Sequence, residues 1–128
     1  MKIKSYINFK DKNHEIRYFE ILSKMKYTDC YHRSAAYLIA LANLVPNDVF
    51  NFEEDLIIPD GLTKGWQTSS TLRATRLMLN LWNGWAHEDE TTETNTTASP
   101  LYTVYNIFYD YEYAPYFYEA IRIRFEWN

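Results

Sequence analysis

The 128-residue chain is 47% hydrophobic and 23% charged, with a formal net charge of −4. That composition is too apolar for intrinsic disorder, suits a single domain, and is too acidic for general electrostatic binding of DNA or RNA. With only 3 Gly and 4 Pro, the turn punctuation of an all-β sandwich or barrel is missing, so helices joined by short connections are expected.

The single cysteine, Cys30, excludes an intrachain disulfide. Met1-Lys2-Ile3-Lys4-Ser5 carries no apolar signal core. No apolar run approaches the roughly 18 residues that a membrane helix needs. These features point to a cytosolic, reducing compartment and to no membrane contact.

In chain order, residues 1–11 form a short lead with a weak strand at Tyr6–Phe9. A first helix starts at Asn13, capped by Asp11 or Asn13, with Ile16, Phe19, Leu22 and Met25 on its buried face. A second runs from Asp29, its N-cap, to about Leu44 and carries Ala35, Leu38, Ile39 and Ala42 on one side, with Pro46-Asn47-Asp48 as its stop. Residues 49–64 are irregular, with Leu56-Ile57-Ile58 extended and Pro59-Asp60-Gly61 a turn.

A third helix follows Gly65-Trp66-Gln67, capped by Thr68, Ser69 or Ser70, and ends near Trp85 or Ala86. At about 100° per residue, Ala74, Leu77, Met78, Leu79, Leu81, Trp82 and Trp85 sweep a broad apolar arc, which places this helix at the centre of the bundle. Arg73, Arg76, Asn80 and Asn83 gather in a sector of about 80°. His87 to Ser99 reads as a mobile polar loop. Ser99-Pro100 opens a further helix with Val104, Ile107 and Phe108, and Tyr113-Ala114-Pro115 starts a last one with Phe117, Ala120, Ile121 and Phe125. The whole, residues 1–128, is expected to be a single, mainly α domain: a compact bundle of about five helices with a short irregular or extended segment near 49–64.

Two groups of residues are candidate binding sites. The polar stripe of Arg73, Arg76, Asn80 and Asn83, with Trp66 beside it, can hold a carboxylate, phosphate or nucleotide by charge-assisted bonds and stacking. Equally, its arginines can pair with Glu53, Glu54 or Asp55 and pin the irregular segment to the bundle. The second group lies in the C-terminal segment from Tyr105 to Trp127. Tyr109, Tyr111, Tyr113, Tyr116 and Tyr118 belong to a total of 12 Tyr in the chain and exceed what two short helices can bury. With Asp110 and Glu112 they describe aromatic anchors ringed by charge, the composition of a protein interface.

Chemistry-bearing motifs are otherwise absent. His14, His32 and His87 match no metal-ligand spacing. Cys30 and His32, two apart on a helix, point in different directions. Ser34, Ser69 and Ser70 have no nucleophile-elbow context. Gly61 and Gly65 do not form a phosphate loop. No catalytic residue, metal or cofactor is therefore expected. A metal-dependent hydrolase built on His32 and nearby carboxylates is the residual enzyme reading.

Tyr31-His32-Arg33-Ser34, the stretch from Gly61-Leu62 through Gly65-Trp66-Gln67-Thr68-Ser69-Ser70-Thr71-Leu72-Arg73, Leu81-Trp82-Asn83-Gly84, and Tyr113-Ala114-Pro115-Tyr116-Phe117 with Glu119-Ala120-Ile121 resemble a family of small uncharacterised proteins. That family is found in Firmicutes genomes, often on phages and mobile elements. The resemblance covers roughly residues 8–125 and implies a setting rather than an activity. In that setting, small size, acidity and excess tyrosine suit a non-enzymatic protein that binds and inhibits a bacterial defence protein, in the manner of an anti-CRISPR inhibitor. The expected partner is a host protein whose nucleic-acid channel is basic, with no direct contact to nucleic acid. The same aromatic surface can also pair with a second copy of the chain. The alternative is a small-ligand or nucleotide-binding protein using Trp66, Arg73 and Arg76.

Overall fold

The computed structural model describes residues 6–88 and 98–126. It is mainly helical. The elements are α1 (Lys12–Ser23), α2 (Cys30–Leu41), α3 (Pro46–Val49), β1 (Phe50–Asn51), β2 (Leu56–Ile57), α4 (Ser69–Asn83), α5 (Val104–Phe108) and α6 (Ala114–Phe125). One 3-10 turn, Pro59–Thr63, precedes α4 and another, Pro100–Tyr102, precedes α5. β1 and β2 form a two-stranded antiparallel hairpin with Phe50 opposite Ile57.

The central helix is α2, not α4 as the apolar arc of α4 suggests. Every residue from Ser34 to Leu41 is buried, and α1, α4 and α6 pack around it. The run Ser-Ala-Ala-Tyr-Leu-Ile-Ala-Leu contains no charge, so no side of it is suited to water. Small Ala35, Ala36 and Ala40 let neighbours approach closely, while Tyr37, Leu38 and Ile39 fill the space between them. The helix α4 is amphipathic instead: Ala74, Thr75, Leu77, Met78, Leu79 and Leu81 are buried, and the arginine stripe lies away from α2.

Local signals set most boundaries. Asp11 and Asp29 accept hydrogen bonds from the backbone of His14 and His32, capping α1 and α2. Thr68 and Thr71 form a reciprocal capping box at the start of α4, and Gly84, at φ 82°, closes it in the left-handed conformation that glycine adopts freely. This end falls earlier than Trp85. The helix α2 stops at Leu41, short of Leu44, because Asn43 takes a left-handed φ of 56°. Pro46 then opens α3 rather than merely ending α2. The helix expected from Pro100 is split at Thr103, whose hydroxyl caps α5 by accepting from the Asn106 N–H.

Of the residues expected on the buried face of α1, Leu22 and Met25 are buried but Ile16 and Phe19 are not. Ile16 and Phe19 are 48% and 55% exposed, whereas His14, Tyr18, Ile21, Leu22 and Met25 are buried. That stripe is carried partly by His and Tyr, whose polar atoms disguise it from an apolar count. No strand forms at residues 6–9. This segment instead bonds to side chains: the Asn8 N–H donates to Glu119 Oε2 at 2.8 Å, the Tyr37 hydroxyl donates to the Asn8 carbonyl at 2.7 Å, and Arg122 donates to the Tyr6 carbonyl at 3.2 Å. Glu119 and Arg122, both buried, are paired with each other at 2.6 Å. Most of the loop expected at His87–Ser99 lies outside the described residues. Its two flanks are joined by the Ser99 N–H donating to the Ala86 carbonyl at 2.8 Å.

Two substitutions test this arrangement. A Cβ at Gly61 would sit 2.7 Å from the Asp48 carbonyl and 2.8 Å from Val49 Cγ1, so Gly61→Ala is expected to cost about 1–3 kcal/mol in urea unfolding. Arg122→Met leaves the Glu119 carboxylate buried without its cation and is expected to cost about 3–5 kcal/mol in the same measurement. A loss below about 0.5 kcal/mol, the range of an ordinary surface change, would refute either assignment.

Candidate functional site

The polar stripe of α4 bonds within the molecule, though not to the acids of residues 53–55. Arg76 donates from Nε and Nη2 to the two carboxylate oxygens of Glu88, both at 3.0 Å, a bidentate pair. Arg73 donates to the Tyr109 carbonyl at 2.7 Å, with its guanidinium 4.9 Å from the centre of the Tyr111 ring. Asn80 donates to the Trp85 carbonyl, and Asn83 accepts from the Trp85 N–H. Trp66 turns its ring nitrogen to Asp48 at 2.8 Å. Arg76 and the Trp66 ring nitrogen are thereby engaged, and Arg73 spends one amino group on the Tyr109 carbonyl. The stripe therefore fastens the segments after α4 and after α5 onto the bundle.

The acidic triplet has another use. Glu53 and Glu54 sit in the hairpin turn, where their N–H groups donate to the Asn51 side chain. Asp55, at φ 61°, reaches His32. The His32 ring is 4% exposed, with Nδ1 2.6 Å from Asp29 Oδ1 and Nε2 2.7 Å from Asp55 Oδ1. Ionised carboxylates only accept, so both ring nitrogens donate and the imidazole is cationic. Burial opposes that charge, but the bonds to Asp29 and Asp55 outweigh it and raise the pKa above its ordinary value. Trp82 packs edge-on at 4.9 Å and Phe50 at 6.2 Å. Sequence spacing gave the cap at Asp29 but no sign of Asp55, which arrives through the hairpin.

His14 has the opposite character. Its Nδ1 accepts from the Lys10 N–H at 3.0 Å, so Nε2 carries the proton and donates to the Tyr37 carbonyl at 3.0 Å. Burial lowers its pKa, and the bond to Tyr37 only partly offsets this. His87 packs against Trp85. The three histidines thus have separate partners. Among the described residues no group of three or more His, Cys, Asp or Glu is placed to hold a metal ion.

The C-terminal tyrosines divide. Tyr109 and Tyr118 are 57% and 59% exposed. Tyr111, Tyr113 and Tyr116 pack against the core, with Tyr111 5.2 Å from Phe117; burial raises the Tyr111 pKa. Asp110 and Glu112 are exposed. The exposed surface extends beyond the expected segment to Leu101 and Val104, and within it the exposed Tyr105 ring stacks on Tyr109 at 4.9 Å. Their signal was the i, i+4 spacing of Tyr105 and Tyr109 in a helix too short to bury both.

A family model described as a family of unknown function, DUF6075, matches residues 4–128. The chain belongs to that family. No curated protein and no solved structure matches the chain at a significant level. The DUF6075 match spans both the His32 centre and the tyrosine surface, and no helix among the described residues is long and apolar enough to cross a membrane.

The two buried histidines give the stability of the chain opposite responses to pH. His32 has a folded pKa above its unfolded value, so its contribution is complete below about pH 6.5 and is lost as pH rises through the folded value. His14 has a folded pKa below its unfolded value, so its contribution is present above about pH 6.5 and is lost as pH falls through the folded value. In ring NMR titrations, His32 is expected to titrate above the ordinary range and His14 below it. Asp55→Asn is expected to lower the His32 value and leave His14 unmoved. A His32 titration unaffected by Asp55→Asn would overturn the paired-carboxylate assignment.

Proposed function

We propose that this protein is a non-enzymatic interaction module that docks a protein partner through the surface of α5 and its flanking turns. The observation that carries this reading is a run of exposed apolar side chains in 9 residues of chain: Leu101 at 39%, Val104 at 74%, Tyr105 at 65% and Tyr109 at 57% exposure. Contiguous exposed apolar groups of this kind mark interaction sites. The stacked Tyr105–Tyr109 pair supplies large rings that are already ordered, which reduces the entropy lost on binding. Arg73, by holding the Tyr109 carbonyl, supports the turn that presents this pair. Exposed Asp110 and Glu112 and the net charge of −4 favour a basic partner.

In the phage or mobile-element setting that the resemblance implies, that partner is a host defence protein, such as a CRISPR-type nuclease complex with a basic nucleic-acid channel. The action proposed is inhibition, in the bacterial cytoplasm. Tyr105 and Tyr109 are the anchors, and the half-buried Tyr111, Tyr113 and Tyr116 support them.

The test is affinity capture from host lysate at low salt, with the wild-type chain and Tyr105→Ala/Tyr109→Ala, followed by assay of the captured complex. A hot-spot pair is worth about 2 kcal/mol or more per residue, so the double variant is expected to lose capture and inhibition while circular dichroism is unchanged. Capture that survives the double substitution, or a wild-type chain that retains no protein and leaves nuclease activity untouched, refutes the reading. Self-association in sedimentation that the double variant abolishes would reassign the surface to a second copy.

A further inference from the structure

A cleft of about 440 Å³ opens between α4, α5 and α6. Its volume lies within the range of small-molecule sites, about 300–1,000 Å³. Leu77 and Leu81 contribute from α4, Ile107 and Phe108 from α5, and Ile121 and Phe125 from α6. The polar lining is sparse and gathered near the end of α4: Asn80, Asn83 and Arg124, with Tyr102. A mostly apolar cavity with a few convergent polar groups is the usual form of a small-ligand site.

Arg124 decides what such a ligand carries. Its Nε donates to the Leu81 carbonyl at 2.6 Å, and its guanidinium lies 3.7 Å from the centre of the Tyr31 ring and 4.8 Å from that of Phe125. One bond and two aromatic faces therefore fix its orientation. Its terminal amino groups meet no acceptor among the described residues, and no carboxylate there pairs with it. Asn83 uses its carbonyl oxygen on the Trp85 N–H, leaving its amide nitrogen without an acceptor among the described residues. An oriented guanidinium with unused donors is built to take a planar anion. A single cation above an apolar cleft matches a monovalent carboxylate better than a phosphate dianion, whose second charge would stay uncompensated.

We propose that this cleft binds a small apolar carboxylate, with its hydrocarbon part against Leu81, Ile107 and Ile121 and its carboxylate on Arg124. This inference does not rest on the protein-partner reading. It makes the cleft a ligand site distinct from the stacked tyrosine pair, with exposed Val104 bordering both.

The experiment is isothermal titration of the full chain with sodium octanoate, 1-octanol and sodium acetate. Octanoate is expected to bind one to one. Losing a charge-assisted bond worth about 1.5–3 kcal/mol, octanol should bind about tenfold or more weakly, and acetate should bind weakly for want of apolar contact. Arg124→Gln should lose about tenfold or more for octanoate and leave octanol unchanged. Because Arg124 also holds the Leu81 carbonyl, Val104→Glu serves as the second variant. Val104 is 74% exposed, so the change should weaken octanoate by repulsion at the cleft mouth without altering thermal unfolding. Equal binding of octanoate and octanol, octanoate binding indifferent to both variants, or no saturable octanoate binding would each overturn the proposal. Abolition of protein capture by the tyrosine variant with octanoate binding intact would show the two sites to be separate.

Discussion

Two turns of α2 have no side that can meet water, and this requirement organises the rest of the chain. Burying Ser34 to Leu41 all round takes three covering helices, so α1, α4 and α6 each turn one face inward. Each covering helix then needs a finish for its outer side. For α4 that outer side is the arginine and asparagine stripe, which the segments at 85–88 and 109–111 close over. The stripe thus follows from the position of α4: its groups bond to Glu88 and to backbone carbonyls because the connections must cross there.

Polar groups at the margin of this apolar centre are specific in their pairing. A buried unpaired group is expensive, whereas a satisfied one restricts the chain to a single arrangement. His14 is held neutral between two backbone groups, and His32 is held cationic between two carboxylates. Chemically identical rings thus acquire opposite charge states, because a carbonyl and a backbone N–H face the first while Asp29 and Asp55 face the second. The hairpin earns its place by delivering Asp55; without that turn the His32 cation would lose half of its counter-charge.

The mainly helical class and the cap at Asp29 are legible, and Asp11 and Thr68 stand among the cap candidates, because each depends on residues within about one turn of one another. The end of α4 falls at Gly84, before the expected Trp85 or Ala86. The centre of the bundle was misplaced because Trp, Leu and Met make α4 look more apolar than α2. Burial follows from the absence of any charged side, which small Ala and Ser provide as well as large residues. Part of the buried face of α1 was hidden by His14 and Tyr18, polar by type yet buried by position. Of the candidate sites, the tyrosine-rich segment was visible as composition. Which rings face out depended on the break at Thr103, and the partners of Arg73, Arg76 and His32 depended on long-range crossings that no local spacing encodes.

The attachment of residues 6–9 bears on the order in which the molecule can assemble. Asn8 and Tyr6 are held by Glu119 and Arg122, more than a hundred positions later in the chain. Closing a loop of that size precedes any reward from the contact. A nascent chain that has emerged only through α4 holds α2 with one flank bare and residues 6–9 tied by the Tyr37 hydroxyl but not yet by Glu119 and Arg122. Residues 6–9 are therefore among the last of the described residues to dock, held in place by the buried Glu119–Arg122 pair.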